Sequence, residues 1–385
     1  MKQNLLFIKN GLIHDIIHPE PYLGNIITEN GIIKAIGADI TCPENSEIID
    51  ATNLQIYPGF VEAHCHLGLD GYGIGFEGQD YNEINDSLTP HLRAIDAINP
   101  QDPTIHMAAK AGVTCVATGP GSSNVLGGTF AAIKTTGKRI EDMIVKQAVA
   151  MKCAFGENPK RVYKNKDNYS RMSTAAKLRE MLFKAIEYQE KLKLSKNDPS
   201  KKPSFDMKLE ALLPVLNHEI PLKAHAHRAD DIFTAIRIAK EFQLNLTLEH
   251  GTEGHLVAEE LAKEGYPIAV GPSFGHATKF ELRNKTFETP GILTKAGCQV
   301  SIITDSPVIP QHYLALCAGL ALKSGMEEHE ALKAITINPA KHLGIADRVG
   351  SLEVGKDADI VITDGNPLHL VTNVVYTIIN GKEVD

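Results

Sequence analysis

The chain has no tryptophan, only six cysteines and no apolar run long enough to span a bilayer, and each shortage narrows the field. Cys42, Cys65, Cys115, Cys153, Cys298 and Cys317 lie far apart and form no C-x-x-C pair. Several sit inside apolar runs, where cysteine behaves as a small buried hydrophobe. That excludes a cysteine-built zinc site and points to free thiols in a reducing cytoplasm. Positive charge is also short: 39 lysines and arginines against 47 aspartates and glutamates leave a formal charge of −8. Nucleic acid and anionic membranes are therefore poor partners, and a small-molecule ligand is expected instead.

What is present is an ordinary globular balance, 43% hydrophobic and 22% charged, over 385 residues. That length allows one large domain with a smaller companion. At the start, apolar runs closed by Asn10-Gly11 and Asn30-Gly31 read as strands and hairpin turns. The C-terminal runs 359–363 and 374–382 have the same character. Two β-rich ends predict one discontinuous β-sandwich built from 1–56 plus 344–385. Between them, over 57–343, short apolar segments alternate with helical patterns, including a helix that Ser173 is placed to cap. Strand–helix alternation predicts a parallel α/β sheet closed as a (β/α)8 barrel.

The candidate chemistry sits where the apolar runs end, which in such barrels is the catalytic face. Residues 57–70 carry His64-Cys65-His66, whose imidazoles share one side of a strand because side chains two apart point the same way. Neutral imidazole is the commonest metal ligand. Glu157, His225 with His227, His250 and Asp305 end later segments. The glycine-rich stretch 119–129 matches neither the P-loop nor the dinucleotide fingerprint, and reads as a tight loop from which Asn124 contacts substrate. Arg161, Arg171 and Arg228 surround the expected mouth and suggest an anionic group on the substrate, since guanidinium pairs bidentately with such groups. His276 follows the seventh strand and is a candidate for the pocket wall.

With these residues in view, the chain resembles the metal-dependent amidohydrolase superfamily. The resemblance is carried by PGFVEAHCH (58–66), GVTCVATG (112–119), LEHG (248–251), TDSP (304–307) and the C-terminal run 338–362. It is nearest the imidazolonepropionase-like and prolidase-like group, with a ligand layout similar to N-acetylglucosamine-6-phosphate deacetylase. The resemblance implies a distorted eightfold barrel and a divalent metal, zinc in the first instance, as one ion or two. Its ligands would be His64, His66, Glu157, His225 and His250, with Asp305 as ligand and general acid/base. Lys152, if carboxylated, is the alternative to Glu157, and His227 is either a ligand in place of His225 or the group that polarises the substrate carbonyl. Imidazolonepropionases and deaminases of the superfamily carry a glutamate shortly after the strand-five histidine; here the chain reads His225-Ala226-His227-Arg228-Ala229-Asp230. The implied activity is hydrolysis of an amide C–N bond in a small anionic substrate, a dipeptide included. A cyclic-amide hydrolase or deaminase is the second reading and a non-catalytic scaffold the third. A homo-oligomer is the default assembly.

Overall fold

Two burial patterns give this chain two separate sheets, alternating as over Tyr22–Glu29 and continuous as over Val113–Thr118. A computed structural model describes residues 4–71 and 75–385. The first sheet begins with β1 (Leu5–Ile13), β2 (Tyr22–Glu29), β3 (Ile32–Gly37), β4 (Glu47–Asp50) and β5 (Gln55–Pro58). The turn between β2 and β3 is the expected Asn30-Gly31, both in the left-handed region at φ 51° and 85°, as a type I′ hairpin requires. A bulge between Ile8 and Gly11 divides β1, so that its first half pairs with β4 and its second half with β5.

The second sheet is the barrel: β6 (Phe60–Cys65), β7 (Val113–Thr118), β8 (Leu126–Lys134), β9 (Ile144–Ala154), β10 (Leu222–Ala226), β11 (Leu246–His250), β12 (Ile268–Val270) and β13 (Val300–Ile302), in sequence order. Residues from both ends of the chain then meet, because β14 (Ile360–Thr363) pairs antiparallel with β5, followed by β15 (Val374–Ile379) and β16 (Lys382–Glu383). Both predicted sheets are therefore present, one of them shared by the two termini.

The barrel departs from simple strand–helix alternation in one place. Strand β8 runs antiparallel to both β7 and β9, because the loop 119–125 that precedes it is too short for a parallel crossover. The loop accordingly ends at Val125, and the remaining glycines of the stretch, Gly127 and Gly128, lie within β8. Elsewhere helices cover the outside. The helix Ala229–Glu241 buries Ile232, Ala235, Ile236, Ile238 and Ala239 at helical spacing. The long helix Arg171–Ser195 is capped by Ser170, not Ser173, because those two serines satisfy each other in a capping box. No helix among the described residues is long and apolar enough to cross a membrane.

A buried carboxylate closes the seam between the first and last barrel strands. Glu62 of β6 accepts from the Thr304 amide (2.9 Å), the Thr304 hydroxyl (2.8 Å) and the Gln311 amide (3.0 Å) through one oxygen, and from the His64 amide (2.9 Å) through the other. Complete burial pushes its carboxyl up to about 7 against those donors. Alongside it, the His66 amide donates to the Ser306 carbonyl at 2.7 Å. His64, His66 and Asp305 are therefore set by one hydrogen-bonded joint.

A second buried link fixes the terminal sheet to the barrel. Lys134 at the end of β8 is 2% exposed and lies 2.9 Å from Asp357 and 2.6 Å from Asp359, just before β14. Removing the cation would leave Asp359 buried without a cation, while Asp357 keeps Arg348 at 2.8 Å, a loss of about 3–5 kcal/mol. Lys134→Met is expected to lower the stability measured by urea unfolding by that amount. A loss under about 1 kcal/mol would show that the link is structurally idle.

Candidate metal and active site

The site face of each strand continues into the barrel at period two, and the ligand-type residues follow it. Glu62, His64 and His66 share one face of β6, while Lys223, His225 and His227 share one face of β10 and its extension. His250 ends β11, and Asp305 follows β13. Both are non-glycine residues at positive φ, 76° and 53°, a sparsely populated conformation found preferentially at functional sites.

These side chains meet in two overlapping groups, His64 with His250 and Asp305, and His225 with His227 and His250. Within each group one ligand atom per residue lies within 4.8 Å of the others. Asp305 Oδ1 is 3.5 Å from His64 Nε2 and 3.4 Å from His66 Nε2. The far nitrogen of every ring is engaged: His64 Nδ1 with Glu249 (3.1 Å), His66 Nδ1 with the Gly119 carbonyl (2.7 Å), His225 Nδ1 with the Ser122 hydroxyl (2.8 Å), His227 Nδ1 with the Thr252 hydroxyl (2.7 Å) and His250 Nδ1 with the Gly271 carbonyl (2.7 Å). Outer partners of this kind orient ligating imidazoles. Among the described residues, His225 Nε2 and His250 Nε2 are buried with no hydrogen-bond partner. An orphaned buried nitrogen costs free energy unless something occupies its lone pair. The donor set, nitrogen and carboxylate oxygen, fits a divalent ion such as zinc.

Electrostatics keep these donors available. Burial, joined by neighbouring cationic and imidazole groups, holds His64, His225 and His227 well below the ordinary histidine range. Burial likewise lowers His250, to about 4, although Asp305 works the other way. For Asp305, burial alone would raise the carboxyl, but His250, His66 and His64 outweigh it and hold the group ionised. Lys152 is wholly buried on β9 with Nζ 3.2 Å from His64 Nε2. Burial lowers its amine to about 7, opposed by Asp305 and Glu249.

Several expected residues stand elsewhere. Glu157 belongs to neither group. It starts the helix Glu157–Tyr163, and its amide donates to Glu281 Oε2 at 2.8 Å. The turn that redirects the chain there is Gly156 (φ 83°), where an added Cβ would lie 2.5 Å from that same Glu281 oxygen. Lys152 therefore occupies the place expected of Glu157 beside His64. The three arginines do not converge either. Arg161 is exposed, Arg171 pairs with Asp231 at 2.9 Å and Arg228 with Asp230 at 2.8 Å. Those aspartates form the acidic first turn of the helix Ala229–Glu241, where negative charge is favoured, and they recruit the nearby guanidinium groups. Asn124 is buried, donating to the Asp86 carbonyl (2.8 Å) and the Thr89 hydroxyl (2.9 Å), so its role is to pin the loop. Its neighbour Ser122 makes the loop's contact with His225. His276 is exposed, and its carbonyl accepts from Lys285 at 3.2 Å.

Two sets of residues were not anticipated. Beneath His64, Glu249 takes Lys223 (2.9 Å), His342 (2.8 Å) and the Thr247 hydroxyl (2.8 Å). His342, which carries no signal in the sequence, thus belongs to the site's foundation. Burial opposes ionisation of Glu249, but Lys223 and His342 overcome it and hold the carboxyl well below its ordinary range. At the rim, Glu281 is 1% exposed, with Oε1 3.8 Å from His227 Nε2 and 4.0 Å from His225 Nε2, and Lys279 donates to it at 2.9 Å. The charged positions Glu62, Lys223 and Glu249 inside apolar strands were the available signal for the foundation. No pattern marked Lys279 or Glu281.

Comparison with known proteins agrees with this geometry. The model of the Amidohydrolase family matches residues 55–384. A crystal structure of an amidohydrolase from Thermotoga maritima MSB8 superimposes with a TM-score of 0.95 at 42% identity, covering 99% of each chain. Amidohydrolase tasK of Hapsidospora irregularis is 28% identical over 94% of this chain, which spans only 40% of tasK's length. An imidazolonepropionase of Bacteroides fragilis is 36% identical over 32% of this chain and 30% of its own. On the fold, the converging imidazoles and these matches together, the chain belongs to the amidohydrolase family.

Proposed function

We propose that the chain hydrolyses the amide bond of a small molecule, with His64, His66 and Asp305 holding a divalent ion and Asp305 serving as general acid/base. The observation that carries this reading is the placement of one ionised Asp305 oxygen within 3.5 Å of two imidazole nitrogens. A divalent ion supplies Lewis acidity there, bringing the pKa of a water towards about 7 and polarising the carbonyl. Asp305 takes a proton from the attacking water as the C–O bond forms, then delivers it to the nitrogen as the C–N bond breaks. Lys152, aimed at His64 Nε2, is the remaining group beside that ion, as an amine or carboxylated. Arg171 and Arg228 are paired with Asp231 and Asp230 while Arg161 is exposed, so substrate charge is left to measurement.

The test is a panel of N-acyl amino acids, N-acetyl amino sugars, dipeptides and cyclic amides, with the product's amine and any ammonia assayed separately. Turnover should release an amine and an acid, vanish on chelation and return with zinc. Asp305→Asn should lower kcat by about 10²–10⁴-fold. Ammonia as the product, or turnover that survives complete metal removal, would overturn the reading.

A second expectation concerns Glu249. Glu249→Gln keeps the shape but removes the charge that orients His64, so zinc affinity should fall by about 10- to 100-fold. Competition with a chromogenic chelator measures it, and an unchanged affinity would show that His64 is set by Glu62 and packing alone.

A further inference from the structure

We infer that Lys279 is the substrate-binding cation of this site, and that the molecule it selects carries a carboxylate within a few bonds of the scissile amide. The inference rests on the hydrolase reading above and adds to it the residue that sets substrate charge. Lys279 ends the loop beyond β12 and leads, in extended conformation, into the turn Phe280–Leu282. Its Nζ reaches three elements: Glu281 Oε1 at 2.9 Å in that turn, Asn158 Oδ1 at 3.2 Å in the helix Glu157–Tyr163, and His227 Nε2 at 3.4 Å just beyond β10.

The other cations near the barrel mouth are engaged or sealed. Lys223 is 1% exposed and donates to Glu249 and to the Ala63 carbonyl, both at 2.9 Å. Lys152 is wholly buried against His64. Arg171 and Arg228 are held by the aspartates that open the helix Ala229–Glu241. Lys279 differs on both counts: its side chain is 17% exposed, and it meets a ring of the cluster directly.

The hydrogen bonds of Lys279 leave one proton for a ligand. An ammonium has three N–H donors. Two point at side-chain oxygens, and Glu281 is itself fixed, because its other oxygen accepts from the Glu157 amide at 2.8 Å. The third faces His227 Nε2 at 3.4 Å, beyond the usual range of about 2.7–3.2 Å. A ring nitrogen that gives its lone pair to an ion cannot also accept this proton, which is then free for a substrate oxygen. Nor does Glu281 cancel the charge at the rings. Burial comes first in lowering His225, His227 and His250, and Lys279 adds to it at all three.

The row of rings sets the reach. His227 and His250 belong to one group of facing donors and His250 and Asp305 to the other, each within 4.8 Å. Lys279 stands at the His227 end of that row and Asp305 at the opposite end. An amide held at Asp305 therefore presents a group a few bonds away to the ammonium. A carboxylate suits it, since paired charges make shorter and stronger hydrogen bonds than a neutral oxygen does. N-acyl amino acids and dipeptides have that spacing between amide and carboxylate.

The test sets each N-acyl amino acid and dipeptide of the panel against its own C-terminal carboxamide, on the zinc-loaded, full-length chain. Wild type should prefer the acid by about 10–100-fold in kcat/KM, with the difference in KM. Lys279→Met should bring the acid-to-carboxamide ratio close to one. Asn158→Asp, which sets a second carboxylate against the ammonium, should lower that ratio at least about threefold. Circular dichroism checks folding, and the Asn158 variant carries the test should Lys279→Met not fold. No preference in wild type, a preference that survives in folded Lys279→Met, or equal losses on acid and carboxamide would overturn the inference. A residue acting only on the imidazoles or on the fold cannot tell the two compounds apart. Should wild type turn over nothing on the panel, the hydrolase reading beneath the inference falls. Calorimetry with N-acetylalanine and N-acetylalaninamide on the same chains then decides the inference by itself, and an acid that binds no tighter than its carboxamide overturns it.

Discussion

The floor of this site depends on a carboxylate that never sees water. Glu249 lies fully buried in the barrel interior, where an ion without partners would cost several kcal/mol. It is tolerated because Lys223 from β10, His342 from the helix Ile337–His342 and Thr247 from its own strand converge on it. The oxygen that takes Lys223 also meets His64 Nδ1 at 3.1 Å. The group that balances charge in the lower barrel therefore also fixes the ring of His64, the proposed ligand, in the upper one. Stability and chemistry share one interaction, and neither can be altered alone.

Regular strand geometry would not have delivered this arrangement. Neighbouring residues on a strand face opposite ways, yet Glu249 and His250 both serve the interior. The left-handed backbone at His250 (φ 76°) breaks the alternation at the last residue of β11. Asp305, at φ 53°, does the same after β13. Each such residue carries about 1–3 kcal/mol of strain. It persists because the surroundings over-determine it, with His250 bonded to the Gly271 carbonyl and the Asp305 segment tied through Thr304 and Ser306 to β6.

This division explains what the sequence discloses and what it conceals. Residues that repeat at period two on a strand were legible: His64 with His66, and His225 with His227, as were His250 and Asp305 at the ends of their runs. So were the β-rich ends and the hairpin at Asn30-Gly31. Lys152 was visible only as an alternative, because a lysine in an apolar strand carries no mark of its partner. Glu281 and Lys279 were hidden, since a turn after an exposed loop has no period to read. The arginines misled for a related reason: Arg228 and Arg171 lie near the site in sequence or space, but Asp230 and Asp231 claim them, and ion pairing across helices leaves no local pattern. The antiparallel β8 was concealed by its glycines, which read as loop.

The neutrality of the imidazoles is a consequence of where they stand. Burial is the largest influence on His64, His225, His227 and His250, and it lowers each of them. Lys152 pushes all four further down, and Lys279 does so for the three histidines nearest the rim. A protonated imidazole has no lone pair to give, so burial, with these two lysines adding to it, keeps the four rings available as donors. Charges of one sign packed against these rings look like a defect in a folded chain. Around donors that fit a divalent ion they serve the same end as burial, lowering the affinity of the imidazoles for protons.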